Sequence, residues 1–133
     1  MSVLITDTHS LLWFTLNKKP SFSPRALNAF ESAVKGETFI SIPVIVLWEV
    51  AILERKQRIL LNQGFANWAT QILKTNSFGV ALLEPEIIAL GTGYNFNYDP
   101  FDEMITAFAV YMELPLITKD NAITDSGLVE VYW

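Results

Sequence analysis

The sequence contains no cysteine and one histidine, His9. Without thiols there is no disulfide and no thiolate metal site, and a lone imidazole disfavours a zinc centre. Long apolar runs are missing too. The longest, residues 38–53, is interrupted by Pro43 and Glu49 and falls short of the roughly 20 residues of a membrane span. The opening stretch "MSVLITD" lacks the basic start of a signal peptide. Together these absences lead to the expectation of a cytoplasmic protein. Basic residues are scarce, nine against fourteen acids, for a net charge of −5. A surface that is basic all over is therefore excluded, and any contact with a polyanion must rest on local clusters. Lys18 and Lys19 form one small group; Arg55, Lys56 and Arg58 form another. The second group reads either as a solvated helix end that complements the helix dipole or as a substrate-facing patch.

What is present is apolar. Half of the 133 residues are hydrophobic and the mean hydropathy is positive, which implies an efficient core or apolar surface covered by a partner. The length suits one domain over residues 1–133. "SVLIT" reads as a strand ending at Asp7, and "THSLLWFTL" as a helix stopped by "NKKP". In "SPRALNAFESAVKG", Ser23 caps a helix, Pro24 opens it and Gly36 follows its end. "TFISI" is a second strand, and a helix from Pro43 runs through "VIVLWEVAILERKQR". A helix over "GFANWATQILKTN", a strand in "GVALLE" and a helix opened by Pro85 and Glu86 follow. The chain closes with a helix capped by Asp99 and started by Pro100, a strand "PLIT", a loop "KDNAITDSG" and a last strand "VEVYW". Strands that alternate with helices and are continuously apolar predict an α/β fold: three layers, α/β/α, around a mostly parallel sheet of four to five strands.

Function in such sheets gathers outside the carboxyl ends of the strands. Asp7 stands at one such end and Asp120 shortly after another. Glu49 is the only charge between Ile42 and Leu53, so it needs a salt-bridge partner, a proton or a ligand. Asp102 shares a helical stripe with Ile105, Thr106 and Ala109, which directs it to the sheet, while Glu103 is turned about 100° away. Acids in a first helical turn are ordinarily dipole partners; four acids at one sheet edge are something more. At ~4 Å and an effective dielectric near 20, each like-charged pair repels by about 4 kcal/mol. A hard divalent cation relieves that repulsion, and all-oxygen ligands suit Mg²⁺ or Mn²⁺. Such a site supports in-line hydrolysis of a phosphodiester, leaving 5′-phosphate and 3′-hydroxyl ends. A single histidine weakens the rival chemistry, in which two acid-base groups activate a ribose 2′-hydroxyl.

These residues resemble a family. "LITDTHSLLWF", "IVLWEVAI", "DPFDEMITAFA" and "PLITKD" are similar, in order and spacing, to the motifs of PIN-domain ribonucleases, and more narrowly of VapC-type toxins of toxin–antitoxin pairs. The resemblance places the family acids on Asp7, Glu49, Asp102 and Asp120, with Asp99 as cap and supporting acid and with Thr6 and Thr118 flanking the site. It implies a Mg²⁺- or Mn²⁺-dependent endoribonuclease, dimeric and held inactive by a small antitoxin. Arg55, Lys56, Arg58 and Lys119 are then the candidates for contacting RNA.

Three positions depart from the pattern: Glu103 and Leu53 stand where basic residues are usual, and Asn97 where a histidine often stands. His9 reads as a surface or capping imidazole. Trp13, Trp48, Trp68 and Trp133 read as core or interface packing, Trp48 above all, with base stacking as the alternative. Two other functions compete: a PIN-like module that only binds a partner, and a receiver- or phosphatase-type phosphotransfer domain. A receiver lacks its usual adjacent early acid pair here, and a phosphatase of the D-x-D type meets His9 at its second acid position.

Overall fold

The computed structural model describes residues 1–133. Five strands form one sheet: β1 (Ser2–Thr6), β2 (Thr38–Pro43), β3 (Phe78–Ala81), β4 (Leu116–Ile117) and β5 (Val131–Tyr132). All neighbours are parallel, in the order β3-β2-β1-β4-β5. Successive strand residues point to opposite faces, and Leu4 with Ile5, and Leu116 with Ile117, are buried as consecutive pairs. Both faces of the sheet are therefore covered, as continuously apolar strands require.

Seven helices provide the cover: α1 (Thr8–Thr15), α2 (Pro24–Val34), α3 (Val44–Arg55), α4 (Gly64–Leu73), α5 (Pro85–Thr92), α6 (Pro100–Met112) and α7 (Asn121–Ser126). None is long and apolar enough to cross a membrane. The starts follow local chemistry. Ser23 accepts from the Ala26 N–H ahead of Pro24, and Asp99 accepts from the Phe101 and Asp102 N–H groups ahead of Pro100. The main core joins Leu11, Phe30, Val46, Val50, Ile105 and Ile123 to the strands, and a smaller cluster joins α5 to α6 through Ile87, Ala107 and Phe108.

Three elements differ from the sequence reading. Residues 121–126, expected as loop, form α7, because Asp120 caps it through the Ile123 N–H and Gly127 ends it at φ 68°. Only Ile123 of this short helix is buried, so it carries no apolar period to read. Pro43 closes β2 and is not yet helical, and α3 stops at Arg55, with Gln57 at φ 60° turning the chain away. The expected helix end "KQR" is thus a turn. The last difference is a short 3-10 turn at Lys19–Ser21, within the stretch that stops α1.

Candidate functional site

The chain leaves β1 towards β2 and β3 and returns much later to β4 on the other side of β1. The carboxyl ends of β1 and β4 therefore flank a topological switch point, the crevice where sheets of this kind bind ligands. Asp7 follows β1 directly and Asp120 follows β4 by three residues. Glu49 comes from the middle of α3 and Asp102 from the first turn of α6. All four, with Asp99, line one cleft of about 440 Å³, completed by His9, Trp13 and Lys119.

Each acid is held by a specific donor. The buried Asp7 caps α1: its Oδ1 accepts from the Ser10 N–H at 2.9 Å and its Oδ2 from the Thr118 hydroxyl at 2.6 Å. The Thr118 Oγ1 in turn accepts from the Asp120 N–H at 3.1 Å, so one threonine ties the two strand ends together. Glu49 accepts from the Thr8 hydroxyl. Its partner is thus a neutral group, not the arginine or lysine of a salt bridge. Asp102 Oδ2 accepts from Asn97 Nδ2 at 2.9 Å, and Asp120 Oδ1 from the Ile123 N–H at 2.8 Å.

The electrostatics follow from this crowding. Burial raises the pKa of Asp7, although the Ser10 and Thr118 hydrogen bonds oppose it. Glu49 is raised by burial, with Asp99 and Asp7 adding to the shift against the Thr8 hydrogen bond and His9. Asp102 is pushed up to about 7, by burial first and then by Asp99, Asp120 and Glu49, against the Asn97 hydrogen bond. Three carboxyls in one cleft thus resist ionisation, Asp7 through burial and Glu49 and Asp102 through burial with neighbouring acids adding to it.

The donor set fits a hard divalent cation, since it offers carboxylate oxygens and no sulfur. As placed, no three acidic side chains close into a ready-made coordination shell.

Several sequence candidates fall elsewhere. Thr6 donates to the Asp7 carbonyl at 3.0 Å and touches no carboxylate of the cleft. Arg55, Lys56 and Arg58 are exposed at or beyond the end of α3 and do not line the cleft; Lys119 does. Glu103 is absent from the lining, in keeping with its helical phase. Trp48 is 60% exposed and rests against Phe101, so it does not pack in the core. Trp68 does, with its indole N–H donating to Thr15 Oγ1 at 3.0 Å. Sequence reasoning missed Thr8 as the support of Glu49 and took Asn97 for a departure, not for the donor to Asp102. Thr8 follows Asp7, but nothing local signals a partner 41 residues away.

No family model matches the sequence, and no curated protein matches it significantly. Solved structures do match in shape. VapBC2 from Rickettsia felis, bound to a DNA fragment from its promoter, gives a TM-score of 0.69 at 14% identity over 98% of each chain. FitAcB from Neisseria gonorrhoeae gives 0.62 at 17% over 98% of this chain and 96% of the other. A toxin–antitoxin complex from Klebsiella pneumoniae gives 0.57 at 18% over 88% and 86%. At such identities the similarity is one of fold. The chain has an α/β fold of the PIN-like type, with an all-parallel five-stranded sheet and seven helices.

Proposed function

We propose that the protein is a metal-dependent endoribonuclease and the toxin of a VapC-type toxin–antitoxin pair. The observation that carries this reading is the convergence of Asp7, Glu49, Asp102 and Asp120 from four separate segments on one cleft at the switch point of the sheet. Burying and crowding carboxylates costs stability unless a cation offsets their charge. A protein that keeps such an arrangement keeps it for a ligand.

Asp7, Glu49, Asp102 and Asp120 would hold Mg²⁺ or Mn²⁺, which when bound supplies an activated water and offsets charge on the leaving oxygen. The chain's own contribution is positioning. Thr118 and the Ser10 N–H fix both oxygens of Asp7, Thr8 orients Glu49, and Asn97 orients Asp102. Such partners typically matter 10- to 100-fold in metal affinity or activity. With its pKa pushed up to about 7, the Asp102 carboxyl holds a proton for part of the time near neutral pH, and a bound cation would favour its ionised form. Lys119 lends the cleft the positive charge that a phosphodiester needs. On this reading the attack falls to water rather than to the ribose 2′-hydroxyl, an assignment the single imidazole favours, and the expected products carry 5′-phosphate and 3′-hydroxyl ends.

The toxin reading draws on the likeness to a toxin–antitoxin complex and to VapBC2. Exposed apolar side chains support a small antitoxin partner and a homodimer: Trp48 at 60%, Leu82 at 73% and Leu60 at 83%. The test is cleavage of a fluorogenic single-stranded RNA in Mn²⁺ by partner-free protein, alongside Asp7→Asn. Cleavage lost in the variant and in EDTA supports the assignment. Equal activity in Asp7→Asn, or 2′,3′-cyclic phosphate products, overturns the mechanism. No cleavage by wild type favours a binding module.

A further inference from the structure

Seven of the eight residues lining the cleft are polar or charged; Trp13 is the exception. The Trp13 indole donates no hydrogen bond to these carboxylates, so its place on that wall points to its aromatic face. Its orientation is fixed from behind. Phe22 meets it edge-on with centroids 6.1 Å apart and planes at 88°, and Trp133 meets it at 6.1 Å and 64°. Phe22 and Trp133 also pack on each other at 5.8 Å. Two residues from other segments, Phe22 and Trp133, thus brace one ring, which lowers the entropic cost of ordering it when a ligand arrives.

The cleft's two basic groups flank that ring. Lys119 Nζ lies over the indole, 5.9 Å from its centroid, and the His9 ring is 6.1 Å away, tilted by 50°. A nucleotide is a flat apolar face joined to an anion, and this wall offers a braced aromatic face joined to a cation. A cationic peptide side chain is the other candidate for an aromatic face in an acidic cleft. Lys119 over the ring, with His9 tilted beside it, disfavours it.

Building on the endoribonuclease reading, we infer that Trp13, braced by Phe22 and Trp133, is a stacking subsite for one nucleobase of single-stranded RNA, with Lys119 set against the adjoining phosphate. Aromatic stacking tolerates any base but prefers larger ones, so this subsite biases cleavage towards purines at one position next to the scissile bond.

The experiment uses the full chain carrying Asp7→Asn, so that RNA binds without being cut. Hexamer RNAs, intact or with one abasic nucleotide at each position in turn, are titrated in Mg²⁺ and followed by tryptophan fluorescence and anisotropy. Intact RNA should quench fluorescence, and Trp13→Phe should remove the quench while weakening binding only slightly. Trp13→Leu should weaken binding on the order of tenfold. One abasic position should cause the same loss and add nothing further in Trp13→Leu. Lys119→Gln should flatten the salt dependence. Should Trp13→Leu fail to fold, the Trp13→Phe quench difference combined with the abasic scan still decides the matter. A loss that is independent of Trp13 at every abasic position overturns the subsite, as does quenching by an arginine-rich peptide and not by RNA. Coupled binding with a wild type that never cleaves would leave the subsite standing and remove the nuclease; cleavage without coupling would do the reverse.

Discussion

The two ends of the sheet are built on opposite principles. At the carboxyl edge, five acids, His9 and Lys119 surround a cleft of about 440 Å³ in which Trp13 is the sole apolar side chain. At the amino edge, a larger hollow of about 550 Å³ has no charged residue in its lining. Phe14, Trp68 and Phe78 form its floor, and Asn62, Asn67 and Gln71 supply polar rim groups. Phe30 lies beneath that floor, stacked on Phe14 at 4.9 Å and near Phe78 at 6.5 Å. The difference teaches that a hollow's character follows from the residues that line it and not from its size. The larger hollow is where the aromatic core comes to the surface; the smaller one stores unfavourable electrostatics, which only a ligand can turn to use.

Substitutions at the two ends should therefore separate stability from activity. The largest effect on stability is expected at the apolar end: Phe30→Ala should destabilise by about 3–5 kcal/mol, read from urea unfolding. Its divalent-ion affinity should stay unchanged where the variant is still folded. At the acidic end the signs reverse. Asp7→Asn should cost more activity than the roughly 10- to 100-fold typical of a supporting residue, while metal-free stability holds or rises, because a buried acid that resists ionisation has been replaced by an amide. A variant that lost stability as Phe30→Ala does would erase the contrast between the two regions.

Thr118→Val comes next. It removes the hydroxyl shared between Asp7 and the Asp120 N–H, and it should weaken Mn²⁺ binding about 10- to 100-fold by calorimetry. The pH dependence sharpens the comparison further. Asp102 has a folded pKa of about 7 against an ordinary value of 3.8, so between those limits the folded state binds the extra proton. Its contribution to metal-free stability is full below about pH 4 and is lost as pH rises through about 7. Melting temperatures of Asp102→Asn should not show that decline, and Mn²⁺ affinity of the wild type should rise over the same range as the competing proton leaves. A wild-type melting curve that climbs between pH 5 and 8 without metal would contradict the Asp102 assignment. The smallest effect belongs to the apolar end, where Thr15→Val removes the acceptor of the Trp68 indole N–H and should cost about 1 kcal/mol without changing activity.

Much of this was legible before any coordinates. Ser23–Pro24 and Asp99–Pro100 announce helix starts through short-range hydrogen bonding, and the apolar strands announce a sheet buried on both faces. α7 was hidden because six residues with one buried side chain carry no period. The strand-end acids Asp7 and Asp120 could be singled out, since parallel sheets bind ligands where their strands end. Their supports could not. Thr8 and Glu49 are 41 residues apart and Thr118 and Asp7 are 111 apart, and neither spacing leaves a local trace. Arg55, Lys56 and Arg58 could be seen as a cluster, but that they lie exposed at the end of α3 and outside the cleft lining was decided by the fold.

The sequence by itself determined the kind of chemistry open to this protein: oxygen ligands without sulfur, one imidazole, and a parallel sheet with acids placed after its strands. Only the tertiary structure decided which acids share a cleft, which hydroxyl or amide holds each of them, and that the pKa of Asp102 is pushed up to about 7. It also decided that Trp13 turns towards the acids while Trp68 turns inward. The reason is physical. Helix caps and apolar periods act between near neighbours along the chain, whereas desolvation and Coulomb repulsion depend on distances in space that no short stretch of sequence encodes.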